Sequence, residues 1–224
     1  MKHLTERDWG AVIKDFEGSS PFNYAILDDF LSPETLAALR PELIKSENWE
    51  GRDIPRENKG AKWVARQVFN DRPGSPLICA VSQELQDALP GLLGGKVLMN
   101  HWAISCNRNE GIFPHCDGGR VSLNLWLTPG QFNEDLNSGG LILFDVKRAA
   151  TMSPDEYASQ RGGCVQYVNE RTRGRLARIP YGYNRAVLFD AWTFHATDAV
   201  RFAGNALAAA RLNLTFSFEE PPPS

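Results

Sequence analysis

The sequence predicts a mostly β fold with supporting helices, arranged as a double-stranded β-helix, the jelly roll that cupins share. Helical patterns are confined to about residues 1–95, and short apolar or alternating segments bounded by Gly, Pro, Asn or Asp come after them. Several short strands after early helices are typical of packed antiparallel sheets with helical support. Besides an early strand at 23–31, the predicted strands are 96–106, 121–128, 141–144, 186–189 and 211–218.

Two helices are predicted in the N-terminal support region. Ser32-Pro33-Glu34 combines an N-cap residue, a proline at the first helical position and an acidic first turn, which predicts a helix over 33–45. A second helix is predicted over 76–89, where Pro90 and the glycines after it end the pattern. Between the two helices, residues 48–69 have an irregular polarity that indicates loops around one or two strands.

The composition is that of one folded domain. Of 224 residues, 42% are hydrophobic and 23% charged, close to the averages for globular proteins, which excludes disordered, fibrous and coiled-coil chains. We predict a single domain over 1–224, with N-terminal helical support at about 1–95, a jelly-roll core at about 96–218 and an insertion at about 145–184. The net charge of −3 gives no general attraction to a phosphate backbone, so nucleic acid is not the expected partner.

The start of the chain and the cysteines bear on location. The first residues contain no apolar signal segment, and no later segment approaches the roughly 20 apolar residues that cross a bilayer, so we expect a cytoplasmic protein with no membrane partner. Cys79, Cys106, Cys116 and Cys164 form no C-x-x-C pair. We therefore expect free thiols rather than a zinc knuckle or a disulfide framework.

The predicted insertion at 145–184 lacks a clear strand or helix pattern and contains a run of arginines. A loop region of this length in a compact domain is typical of a lid, a binding loop or a disordered segment. The favoured interpretation of the run is a solvated, mobile loop; the alternative is a surface that attracts an anionic substrate or an acidic carrier protein. The arginines are Arg171, Arg173, Arg175 and Arg178.

Three residues form a candidate metal site. His115 and Asp117 lie two positions apart, so in an extended segment both side chains point to the same face. His195 follows 80 positions later on a different predicted strand. Two imidazoles and one carboxylate on one face of an octahedron suit non-haem iron(II) and leave three positions open. A lone H-x-D arises often by chance, and here the order of glycine-rich turns and strands after it favours the metal site.

From about residue 100 to 218 the chain resembles the 2-oxoglutarate/Fe(II) dioxygenase superfamily, specifically its prolyl-hydroxylase-like and phytanoyl-hydroxylase-like branches, and in layout the resemblance covers the whole chain. It implies that His115, Asp117 and His195 bind Fe(II), and that Arg211 on the last strand binds the distal carboxylate of the cosubstrate 2-oxoglutarate, with O2 as the oxidant. A planar guanidinium fits a carboxylate through two hydrogen bonds. Asn213, on the same strand face, is placed to add another.

Other residues compete for these roles or extend the pocket. Arg201 is an alternative cosubstrate anchor in a predicted turn, and His101 is an alternative ligand that is better interpreted as structural. Alternation along the neighbouring strands places polar and aromatic side chains near the barrel mouth, where they either shape the pocket or belong to the core. These possible pocket residues are Asn100, Trp102, Asn124 and Trp126.

The resemblance implies a hydroxylase that acts on a small molecule or an amino-acid side chain and releases succinate and CO2. Halogenating relatives have Gly or Ala at the carboxylate position, so Asp117 favours hydroxylation or desaturation. One alternative is a cupin-like metal- or ligand-binding domain without catalysis. The other is a nucleic-acid demethylase, because residues 211–217 are similar to an R-x-N-x-T-x-R signature, although Ser217 replaces its second arginine.

Overall fold

The strands of the protein occupy two main antiparallel sheets. The computed structural model describes residues 1–46, 49–53, 64–69, 75–109, 111, 113–158, 163–204 and 206–221. Its strands are β1 Tyr24–Leu27, β2 Glu50–Asp53, β3 Val64–Phe69, β4 Val97–Cys106, β5 Arg108–Asn109, β6 Val121–Trp126, β7 Leu141–Lys147, β8 Leu176–Ile179, β9 Ala186–Asp190, β10 Thr193–Thr197, β11 Val200–Arg201 and β12 Arg211–Glu219.

The larger sheet has seven strands in the order β1-β9-β6-β12-β4-β3-β2, and the smaller sheet has the order β10-β7-β8. Strands β5 and β11 pair separately. All pairs are antiparallel, and most neighbours in space are distant in sequence, as for β12 between β4 and β6. This is the double-stranded β-helix that the strand pattern predicts, and the predicted fold class is confirmed.

The longer helices begin at side-chain caps. Helix α1 (Trp9–Gly18) begins after Asp8, whose carboxylate accepts a hydrogen bond from the backbone of Ala11. Helices α2 (Pro33–Lys45) and α3 (Pro76–Ala88) begin after serine caps with proline in the first turn. Thus α2 has the predicted bounds, whereas α1 lies in a segment for which no helix was predicted. A short helix α4 (Pro90–Leu93) follows α3.

None of the helices in the described ranges is both long and apolar enough to cross a membrane.

The two faces of the larger sheet have different chemistry. On β12, Leu212, Leu214 and Phe216 point to the outer face, where they pack in one apolar cluster with residues of α1 to α4. The alternate residues Arg211 and Asn213 point to the inner face, between the two sheets. Both sets are buried, because helices cover one face and the smaller sheet covers the other.

The described residues of the segment 145–184, namely 145–158 and 163–184, contain more helix and strand than the sequence predicts. It contains helices α5 (Pro154–Tyr157) and α6 (Gly163–Arg171) and also β8, which pairs with β7 in the smaller sheet. The prediction of a long loop region there is therefore wrong. The helices are short, and few of their residues are apolar, so no helical period stands out in the sequence. The start of α5 does carry a local signal, the capping box of Ser153 and Glu156.

Truncation of Leu123 to alanine tests the cluster between helices and sheet. Its side chain is fully buried on β6, so Leu123→Ala should lower the free energy of unfolding by about 2–5 kcal/mol. The matched control is Leu136→Ala, at a leucine that is 73% exposed, where a change within about 0.5 kcal/mol is expected. Urea unfolding followed by circular dichroism measures both. Equal losses in the two variants would contradict the packing described.

Candidate metal centre and adjoining pocket

His115, Asp117 and His195 converge at one end of the space between the sheets. Their potential ligand atoms all lie within 4.8 Å of one another, and this is the group that the described residues offer for a metal ion. The Nε2 atom of His195 lies 3.7 Å from Oδ1 of Asp117, and the two imidazole centres are 4.4 Å apart. Asp117 and His195 are 7% and 3% exposed. The structure thus brings together all three residues predicted to form the site.

Backbone pairing places the two histidines side by side. His115 and His195 exchange two backbone hydrogen bonds, of 2.9 and 2.8 Å, as an isolated antiparallel bridge. Two residues after Asp117, the chain turns at Gly119, whose φ of +86° lies in the left-handed region. A Cβ at this position would lie 2.6 Å from Oγ of Ser217. Glycine therefore permits the turn that follows Asp117.

The hydrogen bonds of the two imidazoles leave Nε2 of each ring as the potential metal ligand. Nδ1 of His115 lies 2.9 Å from the carbonyl of Phe113, and Nδ1 of His195 lies 3.1 Å from that of Thr193. A carbonyl only accepts, so each Nδ1 carries the proton and each Nε2 presents its lone pair. Such backbone contacts orient metal-binding histidines.

The protonation of His195 also favours a metal ligand. Burial is the main cause that lowers the pKa of His195 to about 4. The carboxylate of Asp117 raises this pKa, and the neighbouring His115 lowers it. At neutral pH the imidazole is therefore uncharged and binds a cation without first losing a proton. The Oδ2 atom of Asp117 is buried and has no hydrogen-bond partner. An unsatisfied buried carboxylate oxygen beside two imidazole rings fits a divalent cation.

Arg211 carries a buried positive charge at the start of β12. It is 3% exposed, its Nε donates to the carbonyl of Gly139, and no Asp or Glu in the described part of the chain forms an ion pair with it. Burial lowers the pKa of its guanidinium. A buried cation without an anionic partner is costly, so an anionic ligand would be stabilised here. Arg201, the alternative anchor, is exposed on β11.

Polar side chains cross the inner face of the larger sheet beside Arg211. Asn213 donates through Nδ2 to Oγ1 of Thr215 (2.8 Å), and Thr215 donates to Oδ1 of Asn124 on β6 (2.7 Å). Oδ1 of Asn213 and Oγ of Ser122 are buried and lack a hydrogen-bond partner. Buried polar atoms without partners mark places where a ligand or water completes the hydrogen bonding.

Trp126 was predicted to belong either to the pocket or to the core. It is fully buried and stacks on Tyr181, with ring centres 5.3 Å apart, within an apolar cluster. Its Nε1 nevertheless has no hydrogen-bond partner, and the guanidinium carbon of Arg211 lies 5.7 Å from its ring centre. The side chain is thus a core residue with one unused donor near Arg211.

Two further predicted pocket residues lie on β4. Trp102 and Asn100 are opposite Thr215 and Ser217 of β12 and are partly buried. Their register places them on the inner face, beside the polar network. His101 alternates to the opposite face and does not belong to the group that converges on a metal position.

Three of the four arginines in the predicted run form ion pairs. Arg171 pairs with Glu170 at 3.0 Å, Arg175 with Asp145 at 3.5 Å and Arg178 with Asp198 at 3.3 Å. Although burial opposes it, hydrogen bonds from the turn of residues 172–175 hold the pKa of Asp145 below its usual range. Asp145, through its contacts with residues 172–175, therefore stabilises the turn between α6 and β8.

The sequence interpretation missed one cluster of side chains. It lies close to residues 115–119, which carry His115 and Asp117 and are called the metal loop. Trp192 donates through Nε1 to the carbonyl of Gly119 (3.1 Å), and the guanidinium groups of Arg120 and Arg148 lie over its ring at 4.2 and 4.5 Å. Arg148 also lies 4.0 Å from the ring centre of Tyr157. Residues 120, 148, 157 and 192 are far apart in sequence, so no local pattern could have indicated the cluster.

Solved structures with the same fold were found. A non-heme alpha ketoglutarate dependent carbocyclase, SnoK from nogalamycin biosynthesis, is 13% identical and aligns over 97% of this chain and 86% of its own, with a TM-score of 0.66. HygX from Streptomyces hygroscopicus, solved with nickel and 2-oxoglutarate bound, is 11% identical over 96% and 87%, with a TM-score of 0.62. A Pseudomonas putida prolyl-4-hydroxylase is 16% identical over 96% and 100%, with a TM-score of 0.58.

The chain shares the fold of these proteins. Identities of 11 to 16% show a common architecture and leave the substrate and reaction to be inferred from the site. No known family matches the sequence, and no curated protein sequence is significantly similar to it.

Removal of one ligand tests the metal centre. His195→Ala should weaken Fe(II) binding at least about tenfold, because a buried neutral nitrogen is lost from the ligand set. Anaerobic calorimetry on metal-free protein measures the dissociation constant. The control is His3→Ala, whose imidazole contacts Thr35 in the N-terminal region. A wild-type affinity in His195→Ala would place the metal elsewhere.

Proposed function

We propose that this protein is a non-haem Fe(II)- and 2-oxoglutarate-dependent oxygenase that hydroxylates a small molecule or an amino-acid side chain and releases succinate and CO2. One observation carries the proposal. The convergent set of His115, Asp117 and His195 lies between the same two sheets as Arg211, a buried cation that forms no ion pair among the described residues.

The donor set fits iron(II). Two imidazole nitrogens and one carboxylate oxygen would hold the ion, and this donor set suits a non-haem iron(II) that also takes a 2-oxo acid and O2. When bound, the iron and its cosubstrate supply the oxidation of a C–H bond, coupled to decarboxylation of 2-oxoglutarate. The chain supplies geometry and exclusion of water. Phe189, for example, packs edge-on against the His195 ring at 4.8 Å.

The pocket offers several groups to a dicarboxylate. The guanidinium of Arg211 can hold the distal carboxylate, and the unused N–H of Trp126 is a second donor close to it. Asn213 can serve as donor or acceptor, because its amide, the hydroxyl of Thr215 and the amide of Asn124 can reverse their hydrogen bonds together. Bound carboxylate would thus satisfy polar atoms that are buried without partners.

The solved structures support this choice of cosubstrate. HygX contains nickel and 2-oxoglutarate, and SnoK is described as alpha ketoglutarate dependent. SnoK is described as a carbocyclase and another of these structures as a prolyl-4-hydroxylase, so the likeness supports 2-oxoglutarate more strongly than it supports hydroxylation. Hydroxylation is proposed because Asp117 completes the metal ligands and leaves no position for a halide.

The binding-domain alternative is disfavoured by Arg211. A metal-binding module without cosubstrate gives no reason to bury a guanidinium that has no carboxylate partner. The demethylase alternative rests on the strand signature, and in the structure Ser217 donates its hydroxyl hydrogen bond to the carbonyl of Gly118, next to Asp117. The residue that departs from the signature thus supports the metal loop.

Cosubstrate turnover tests the activity directly. Purified protein with Fe(II), ascorbate and 2-oxoglutarate should form succinate, detected by mass spectrometry, and a candidate product should gain one oxygen atom. His115→Ala should lower succinate formation at least about 100-fold, because one of three ligands is lost. Unchanged turnover in His115→Ala would refute the site.

Calorimetry with 2-oxoglutarate separates the cosubstrate contacts from the metal contacts. Arg211→Gln should raise the dissociation constant at least about 30-fold, because the carboxylate loses its charged partner. Trp126→Phe keeps the ring stacking and removes one hydrogen bond to a charged group, so about a tenfold rise is expected. Fe(II) affinity should stay the same in both variants.

The control for Trp126→Phe is Trp49→Phe, which removes an indole N–H that already donates to the carbonyl of Leu43 on the outer side of the protein. Its 2-oxoglutarate affinity should equal that of the wild type. Metal binding that is indifferent to 2-oxoglutarate in the wild-type protein would favour the non-catalytic domain.

A further inference from the structure

Arg120 and Arg148 carry positive charge that the proposed chemistry does not use. Both guanidinium carbons lie within 4.5 Å of the ring centre of Trp192, and Arg148 also stacks on Tyr157. No Asp or Glu of the described ranges lies within ion-pair distance of either arginine. Nε of Arg148 is buried and has no hydrogen-bond partner.

Several arginines elsewhere in the described ranges form ion pairs. Arg171, Arg175 and Arg178 each have a carboxylate partner, and so does Arg185, whose partner is Asp28. Two guanidinium groups held against one ring repel each other, and an anion bound nearby offsets that repulsion. Exposed arginines such as Arg173 and Arg201 also form no ion pair in the described ranges, but Arg148 differs from them because its Nε is buried without a hydrogen-bond partner, and this points to a ligand.

Hydrogen bonds fasten this cluster to the metal loop. Besides the contact from the Trp192 ring to Gly119, the thiol of Cys116 and the backbone N–H of Arg148 both donate to the carbonyl of Trp192. Gly119 follows Asp117 by two residues, so their Cα atoms are at most about 7 Å apart. A substrate of modest size can therefore contact the cluster and the metal centre together.

The strand register places Arg120 on the same side as the pocket. The backbone of Arg120 bonds to Phe218 and Ala191, which continues the ladder of β6 by one residue. Residues of β6 with even numbers, such as Ser122 and Asn124, face the inner side. Arg120 therefore extends the row of inner-face residues beyond the end of the strand.

We infer that Arg120 and Arg148, held against Trp192, form a subsite for an oxyanion of the substrate, a carboxylate or a phosphate or sulfate group. Stacking on aromatic rings leaves the N–H edges of a guanidinium available for hydrogen bonds, and it fixes the side chain before the ligand arrives. This inference rests on the proposed function in one respect, namely that the bound anion belongs to the substrate that is oxidised. The substrate class is thus an anionic small molecule or an acidic side chain.

Titration of metal-free protein with sodium phosphate and, separately, with sodium acetate tests the subsite. At low ionic strength, Arg120→Gln and Arg148→Gln should each raise the dissociation constant of the preferred anion about tenfold, the effect of losing one charged hydrogen-bond partner. Arg148→Lys keeps the charge without the planar fork and should give a smaller rise. Preference for phosphate or for acetate distinguishes a tetrahedral group from a carboxylate.

The matched control is Arg173→Gln, which removes the same charge from an exposed arginine between α6 and β8. Its anion affinity should stay within about twofold of wild type. Arg211→Gln identifies any anion bound at the cosubstrate position, so the outcome does not depend on whether the protein uses iron or 2-oxoglutarate. Arg120 is exposed, so its substitution should leave the fold intact. Absence of binding by both anions, or equal weakening by Arg173→Gln and Arg120→Gln, would overturn the inference.

Discussion

The site depends on one antiparallel bridge, the pair of backbone hydrogen bonds between His115 and His195. It joins two segments that are 80 residues apart in sequence and places their imidazoles side by side. Each ring is then oriented by a carbonyl of its own segment, two residues earlier in the chain. Asp117 reaches the same point because it lies two residues beyond His115 in extended backbone. The register of this one bridge therefore brings three potential metal ligands together.

The two faces of the larger sheet have different roles, one in stability and the other in the candidate site. Its outer face packs apolar side chains against the helices and contributes most of the hydrophobic burial. Its inner face buries Asn213, Ser122 and Trp126 with polar atoms that lack partners, each of which costs about 1–3 kcal/mol. The apolar outer face offsets this cost. A pocket whose buried polar atoms lack partners is suited to bind a polar ligand, since binding satisfies groups that folding leaves unsatisfied.

Residues between β7 and β8 pack against the metal loop and form a hydrogen bond to it. Cys116 donates its backbone N–H to Tyr157 next to α5, while Cys164 and Val168 of α6 pack in one apolar cluster with Phe194. The side chains on either side of Cys116 point to the metal position, and its own points to this cluster. This segment therefore contributes packing, and it also contains Arg148, which together with Arg120 carries the charge available for an anion outside the predicted arginine run.

Local patterns were sufficient for the elements whose signals lie within a few residues. Ser32 and Pro33 fix the start of α2, and alternation along β12 separates Arg211 from the leucines around it. The helix α1 was missed because its cap, Asp8, lies in a polar segment, and α6 and β8 were missed because short elements show little periodicity.

By itself the sequence determined the fold class and a set of three potential ligands, because capping, alternation and an H-x-D spacing are properties of neighbouring residues. Only the tertiary structure decided that His195 meets His115, that Trp126 has an unused donor beside Arg211 and that Trp192 contacts two arginines without an ion pair among the described residues. These contacts connect distant segments, and their geometry is set by strand register and by the packing of the whole chain rather than by local residue preferences.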